Sequence, residues 1–247
     1  KEEAFKAGLV YILNPETQAF FNASKSFRSP LTDEFLFFDN SFVRQIDTGL
    51  STQTSLGFDG GVRHAFNQYL RSDITVFHMD LDNEIFFDPV SFKNDNYDKT
   101  RRQGANLQVD FKLTKRITAF ANWMYTRAQF LKGAFDKKTI PMVPLNKFSA
   151  GFNVGFWEHW KVIPVVNFVG RRYMISDQAN HAGKLDAYVT ADLRMSFEKE
   201  NYELFLNANN IFNRKYSEYA VTNSAGTSKN YYPSPERNFS AGVKVKF

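Results

Sequence analysis

Four histidines, His64, His78, His159 and His181, are the side chains here best suited to proton or metal chemistry, and their spacing offers neither. No pair follows H-E-x-x-H, which would set two imidazoles on one helical face for zinc. Cysteine is absent, which removes thiolate ligands, disulfides and a Cys nucleophile. No glycine-rich phosphate loop or Ser–His–Asp relay can be read either. An enzyme is therefore not expected, and no catalytic residue, resident cofactor or metal site is assigned. His181, in DQANHAGKL, has the chemistry of an axial haem ligand. It reads instead as a solvated loop histidine.

Recognition chemistry rests with arginine and tyrosine. Arg28, Arg101, Arg102, Arg171 and Arg172, with Tyr173, Tyr216, Tyr219, Tyr231 and Tyr232, are the candidate ligand-binding residues. Guanidinium groups offer forked donors to carboxylates and catecholates, and phenol rings stack on flat organic groups. The alternative for each is that it ties loops together or faces lipid phosphates. Asp186 and Asp192 are expected as structural partners of Lys and Arg on neighbouring strands, not as acids or bases.

The elements that must position these residues are strands. The 247 residues include 27 Phe and 11 Tyr, yet mean hydropathy is −0.42. Alternation reconciles the two. From 185 to 197, Leu185, Ala187, Val189, Ala191, Leu193, Met195 and Phe197 interleave with Asp186, Tyr188, Thr190, Asp192, Arg194 and Ser196. Period two gives a strand one dry and one wet face. The same pattern recurs at 55–63, 104–113, 117–125 and in the closing ERNFSAGVKVKF, and less cleanly at about 5–13, 17–28, 69–80, 144–156, 160–173 and 202–213. About eleven strands result.

The links between them alternate in length. Short ones fall at 14–16, 67–68, 114–115, 157–159 and 199–201, and long ones at about 29–50, 82–97, 131–143, 174–184 and 217–234. An up-and-down membrane barrel produces this alternation, whereas a Greek-key sandwich has no reason to. No stretch approaches the roughly 20 apolar residues of a spanning helix, so a membrane could be crossed only by a closed barrel. Phe156, Trp157, Trp160, Tyr173, Tyr216 and Tyr219 are expected to form its interfacial girdles. Net charge is +5, but the basic residues are scattered, so no nucleic-acid partner is expected. A start at Lys1 without Met or signal peptide suggests a fragment or processed product.

Several stretches are similar to the TonB-dependent outer-membrane receptors. FFNASKSFRSPLTDEF resembles a strand leading into G-F-R-A-P-x-x-x-E-L-Y; Phe27, Arg28, Pro30 and Glu34 match, while Ser26 and Ser29 depart. LSTQTSLGFDGG looks like L-x-P-E-x-x-x-x-Y-E-x-G, keeping Leu50 and Gly61. YDKTRRQGANLQV resembles N-x-x-K-x-x-x-x-G-x-E, with Asn106 in place of Glu. IPMVPLNKFSAGF, LDAYVTADLRMSF and LNANNIFNRKYSEYA resemble three consecutive C-terminal elements, and YYPSPERNFSAGVKVKF the final one. Their order and spacing carry the likeness.

The resemblance implies an all-β fold, a transmembrane antiparallel up-and-down barrel of about 22 strands with a plugged lumen. Residues 1–247 would supply about eleven of those strands, as the C-terminal part of the barrel, with the plug outside this sequence. It implies a multi-pass protein of the bacterial outer membrane, importing a scarce ligand, most readily a ferric siderophore, with energy from TonB. Implied partners are the TonB complex acting through the plug, outer-membrane lipid and lipopolysaccharide, and the iron chelate. Phe247 would be the signal read by the assembly machinery. The alternative is a receptor-like barrel serving as a surface scaffold without uptake.

Overall fold

A computed structural model describes residues 2–38, 41, 43–223 and 225–246. Phe247 and its expected role as assembly signal lie outside the described residues. Seventeen strands are described: β1 (Phe5–Asn14), β2 (Thr17–Arg28), β3 (Leu36–Phe38), β4 (Arg44–Ile46), β5 (Gln53–Ala65), β6 (Leu70–Asp88), β7 (Lys93–Lys112), β8 (Ile117–Phe130), β9 (Asn146–Trp157), β10 (Trp160–Val169), β11 (Arg172–Tyr173), β12 (Lys184–Leu185), β13 (Tyr188–Lys199), β14 (Tyr202–Asn209), β15 (Ser217–Thr222), β16 (Lys229–Pro233) and β17 (Asn238–Val245). Eleven of them form one sheet in the order β1-β2-β5-β6-β7-β8-β9-β10-β13-β14-β17. Every neighbouring pair is antiparallel. The other six strands are three short hairpins, β3–β4, β11–β12 and β15–β16, each set within a long link.

The short links occur where expected. Of the long ones, 82–97 is a correction: β6 and β7 continue paired to Asp88 and Lys93, and the turn is only 89–92. At Asn83 the backbone turns left-handed (φ 55°), so alternation loses its phase while pairing continues. Beyond that point neither face reads as dry, and polar residues on both faces had the look of a loop. Two further boundaries move. The 160–173 run stops at Val169 because Arg172–Tyr173 folds back onto Lys184–Leu185. The 202–213 run stops at Asn209, where Asn210 and Asn213 take left-handed backbone (φ 49° and 55°).

Register sorts the residues onto two faces. Val189, Ala191, Leu193, Met195 and Phe197 of β13 align with Phe168, Val166, Pro164, Val162 and Trp160 of β10. Leu193, Met195 and Phe197 meet Ala208, Leu206 and Leu204 of β14, which in turn meet Phe239, Ala241 and Val243. This apolar parity stays uncovered, with Val189 51%, Phe239 67% and Val243 65% exposed. So continuous an exposed apolar face is an interaction surface, far beyond what monomeric soluble proteins leave bare.

The other face is polar and internally bonded. Asn22 donates to Asp59 at 2.8 Å, Arg63 to Asp73 at 2.9 Å, and Arg194 to Glu203 at 2.6 Å. Asp192 departs from the expected Lys or Arg partner: it accepts from Asn167 Nδ2 at 2.9 Å and from the Asn210 backbone at 2.8 Å. Four phenylalanines also lie on this face, each paired with a glycine: Phe20 with Gly61, Phe77 with Gly104, Phe120 with Gly151 and Phe205 with Gly242. A ring can lie flat on the sheet only where the residue opposite has no Cβ to strike it. Arg63 and Arg194 then cover two of these rings, at 4.6 and 4.4 Å from the centroids of Phe20 and Phe205.

At the short-link end, Trp160 packs against Phe156 (6.2 Å) and Phe197 (5.2 Å), and Trp157 against Phe156 (5.8 Å), as a girdle would. Tyr216 and Tyr219 do not join a girdle at the strand ends. They belong to the excursion 210–237 at the long-link end.

Candidate ligand-binding site

At the long-link end the chain builds a packed cap. Ala128, Phe130 and Ile140 form one buried cluster with Tyr97, Phe135 and Val143 against it; Met174, Leu185 and Ala220 form a second with Met142. Polar clamps lock the pieces together. Asn180, in left-handed backbone (φ 60°), accepts from the Thr139 N–H at 2.6 Å and donates to its carbonyl at 2.9 Å. Asp177, fully enclosed, accepts from the backbone of His181 and Ala182 at 2.9 and 3.1 Å. Ser176 bonds both the carbonyl and the N–H of Thr222. Gln178 donates to the Tyr97 hydroxyl at 3.2 Å. Three separate long links thereby become one body.

Two arginine centres stand within or beside this cap. Arg102 grips Glu84 with both terminal nitrogens, at 2.9 and 2.5 Å, and Thr100 Oγ1 donates to the same carboxylate at 2.5 Å. Its charge is satisfied. Arg172 differs. It is 4% exposed, lies 5.5 Å from the centroid of the Tyr188 ring, and donates through Nη2 to the carbonyls of Glu218 (2.8 Å) and Ser217 (3.4 Å). Its buried Nη1 has no hydrogen-bond partner among the described residues. Tyr188 stacks on Tyr216 at 4.1 Å and donates to Glu218 at 2.9 Å. Burial pushes the Tyr216 hydroxyl above its ordinary pKa, so it stays a neutral donor across the physiological range.

The structure thus gathers Arg172 and Tyr216, with Tyr219, Tyr231 and Tyr232 on the adjoining β15–β16 hairpin. Tyr219 and Tyr232 pack edge to face at 5.1 Å, and Tyr231 is 53% exposed. Tyr173 sits beside them under the Lys184 ammonium, 4.7 Å from its centroid. Arg171 is exposed, with Asp186 at 3.7 Å. Three candidates lie elsewhere. Arg28 caps β2 and pairs with Glu34. Arg102 belongs to the Glu84 centre. Arg101 is on the uncovered parity, bidentate to Asp80 at 2.7 and 2.8 Å.

Sequence reasoning missed Tyr188, Tyr97, Gln178 and Asn180. Tyr188 was legible as an aromatic on the polar parity of the cleanest strand. The other three give no signal without knowing which links meet. His181 is half exposed, its Nδ1 3.8 Å from Asp177. No group of three or more His, Cys, Asp or Glu that could hold a metal ion occurs among the described residues.

The link 29–52 is strapped down separately. Glu34 accepts from the Leu31 N–H at 2.8 Å and from Arg28; Asp47 accepts from the Gly49 N–H at 2.8 Å and pairs with Lys93. For Asp47, the Lys93 and Gly49 bonds hold the carboxyl below its usual range. For Glu34, partial burial pushes upward, but the Leu31 and Arg28 bonds outweigh it and the net shift is down. Depressed carboxyl pKa values stabilise the folded link above the unfolded carboxylate range, about pH 4, and that support is lost as pH falls through the folded values. Peptides from 29–52 are therefore expected to keep their amide-exchange protection from pH 7 down to about pH 4 and to lose it below that, relative to 146–157, after correction for intrinsic rates. Unchanged relative protection would contradict it.

The model of the family "TonB dependent receptor-like, beta-barrel" matches residues 3–211. The chain belongs to this TonB-dependent receptor family. The metal-pseudopaline receptor CntO of Pseudomonas aeruginosa is 26% identical over 230 residues, covering 88% of this chain and 30% of that receptor. An uncharacterized TonB-dependent receptor of Haemophilus influenzae is 24% identical over 239 residues, covering 90% of this chain and 66% of that protein. This TonB-dependent receptor chain therefore spans less than a third of the length of CntO. Among solved structures, the copper transporter OprC superposes with a TM-score of 0.77 at 15% identity, over 99% of this chain and 39% of that one. The ferric yersiniabactin uptake receptor FyuA from Yersinia pestis gives 0.74 at 16%, over 99% and 37%. The 11-stranded sheet is the fold of a TonB-dependent receptor barrel.

Proposed function

We propose that residues 1–247 form the C-terminal part of an outer-membrane barrel that binds a metal chelate, most readily a ferric siderophore, and imports it with TonB-supplied energy through a plug outside this sequence. The apolar parity meets lipid, the polar parity lines the lumen, and the long-link end faces outward, as in barrels with short inner turns and long outer loops. The observation that carries the ligand class is Arg172, whose buried Nη1 has no partner, set beside the Tyr188–Tyr216 stack. An anionic chelate that carries flat aryl rings suits that pair: its oxygens accept from the guanidinium and an aryl ring lies against Tyr216, whose far face Tyr188 backs. The similarity to a metal-pseudopaline receptor and to a ferric yersiniabactin uptake receptor supports the class. A strain lacking the full-length gene, grown under iron limitation on single catecholate, hydroxamate and carboxylate iron sources, is expected to fail on one of them. Full growth on all would overturn import of a ferric siderophore.

A further inference from the structure

Gly155 lies on the same polar face as the four glycines that carry phenylalanine rings, but no ring covers it. It pairs with Lys161 of β10 and donates at 2.8 Å to the carbonyl of Arg116, at the β7–β8 turn. A Cβ there would find nothing nearer than that carbonyl oxygen, at 3.6 Å. Adjacent strands lie about 4.8 Å apart, so the backbones of Arg116 and Lys161 stand about 10 Å apart with no side chain between them. The next row toward the middle of the sheet is Lys112, Thr118 and Asn153.

The space over Gly155 opens into a recess of about 420 Å³ whose lining includes Lys115, Arg116, Lys161, Thr118 and Asn153. A second recess, of about 400 Å³, shares Thr118 and Asn153 and adds Arg71 and Lys112. Of the side chains lining the two, five are Lys or Arg and two are carboxylates: Asp110, which accepts from Gln108 at 3.0 Å, and Glu198, held by Lys161 at 2.7 Å. The side chains of Arg71, Lys112, Lys115, Arg116, Thr118 and Asn153 make no hydrogen bond or ion pair among the described residues. Four cations are thus unpaired at the opposite end of the sheet from Arg172.

We propose that Lys112, Lys115, Arg116 and Lys161 form a second oxyanion site, at the inner end of the import path, that receives the anionic chelate after it leaves Arg172. The site rests on the uptake reading above, in which the polar face lines the lumen and the short-link end is the side of release. Arg116 offers a forked donor to carboxylate or catecholate oxygens, and the lysines offer mobile point charges. Thr118 and Asn153 add neutral donors, and bare Gly155 leaves the middle of the row free for the anion itself. A carboxylate on the plug would present the same oxygens. One such side chain occupies only two or three of these donors, whereas an anion with several oxygens engages both rows together, which favours the cargo. Cations at the far end of a polar wall also give an anion a place to move to once its outer contacts break.

The test uses the full-length receptor in cells. Uptake of radioactive iron from the catecholate, hydroxamate and carboxylate chelates of the growth panel is normalised to assembled receptor, and binding is measured separately by fluorescence titration. On the chelate that the parent imports, Lys112→Gln with Arg116→Gln is expected to lower the maximal uptake rate about tenfold, as removing charge-assisted bonds should. The dissociation constant should hold, because Arg172 still binds the chelate at the outer end. Gly155→Glu, which sets a tethered carboxylate between Arg116 and Lys161, is expected to slow uptake likewise, and Gly155→Gln, equal in bulk, to stay near parental. This pair keeps the idea testable if the double variant assembles poorly. Parental uptake in both the double variant and Gly155→Glu, or equal losses in Gly155→Glu and Gly155→Gln, would overturn the site. Entry of vancomycin into cells carrying the double variant would also overturn it, since the cations would then be holding a plug carboxylate in place. A parent that imports none of the chelates would instead refute the uptake reading itself.

Discussion

Gly104→Ala is expected to cut the amount of assembled barrel in the outer membrane by more than about fivefold. A Cβ there would stand 1.9 Å from the Tyr125 carbonyl oxygen and 2.9 Å from Cζ of Phe77. The first contact is with backbone on β8, so moving a side chain relieves only the second. Shifting a ladder-bonded strand by an ångström costs at least about 3 kcal/mol, the upper range for overpacked sites. Gly61 is held likewise, 2.1 Å from the Ile74 oxygen, whereas a Cβ at Gly155 would find nothing nearer than 3.6 Å. The heat-modifiable band from outer-membrane fractions should therefore fall for Gly61→Ala and Gly104→Ala and stay near parental for Gly155→Ala. Gly242 refines the point. All three of its nearest atoms belong to the Phe205 ring, Cζ at 2.4 Å, so Phe205→Leu should rescue Gly242→Ala while Phe77→Leu should not rescue Gly104→Ala. Equal rescue at both sites would show that the backbone contact does not matter.

Arg172→Lys is expected to weaken ligand binding by about tenfold to a hundredfold, the worth of a lost charge-assisted hydrogen bond at roughly 1.5–3 kcal/mol. Lysine keeps the positive charge but cannot reach the Glu218 carbonyl and a ligand oxygen at once, because the fork is gone. Fluorescence titration of full-length receptor with a ferric tricatecholate and with a ferric carboxylate chelate would measure it. The competing account is that Arg172 only ties β11 to the 217–218 backbone. In that case amide protection across 210–237 should fall and affinity should hold. Lost affinity with intact protection supports direct contact.

The strands were legible because alternation is forced wherever one face meets an apolar medium and the other meets water. Leu185 to Phe197 shows this best, and even its three leading residues, which peel away into β12 and the connection after it, keep the alternation. The rule fails where both faces are wet. The outer halves of β6 and β7 carry Asn83, Glu84, Asn94, Asp95 and Asp98 without a dry side, and a hairpin of that composition looks like a loop. Short hairpins such as β11–β12 leave too few residues for a period to show.

The candidate binding residues were legible by type and not by company. Arginine and tyrosine announce what they can bind, and Tyr216 and Arg172 did fall together. Which guanidinium is already satisfied depends on a carboxylate supplied from elsewhere: Asp80 and Glu84 of β6 for Arg101 and Arg102 of β7, and Glu34 of the following link for Arg28. The two cross-strand pairings do not follow from separation along the chain. The cap is more opaque still, since Asn180 and Thr139 are 41 residues apart and meet through the side-chain amide of one and the backbone of the other.

The sheet's strand count sets a rule of direction. Each of its ten seams reverses the chain, so β1 and β17 run the same way. A second copy in the same orientation would meet either edge as a parallel seam. An all-antiparallel ring requires an odd number of further strands, and eleven from a second copy would serve only if that copy were inverted end for end, with its long links at the first copy's short-link end. Two copies inserted across a membrane in the same direction therefore cannot close a wholly antiparallel ring.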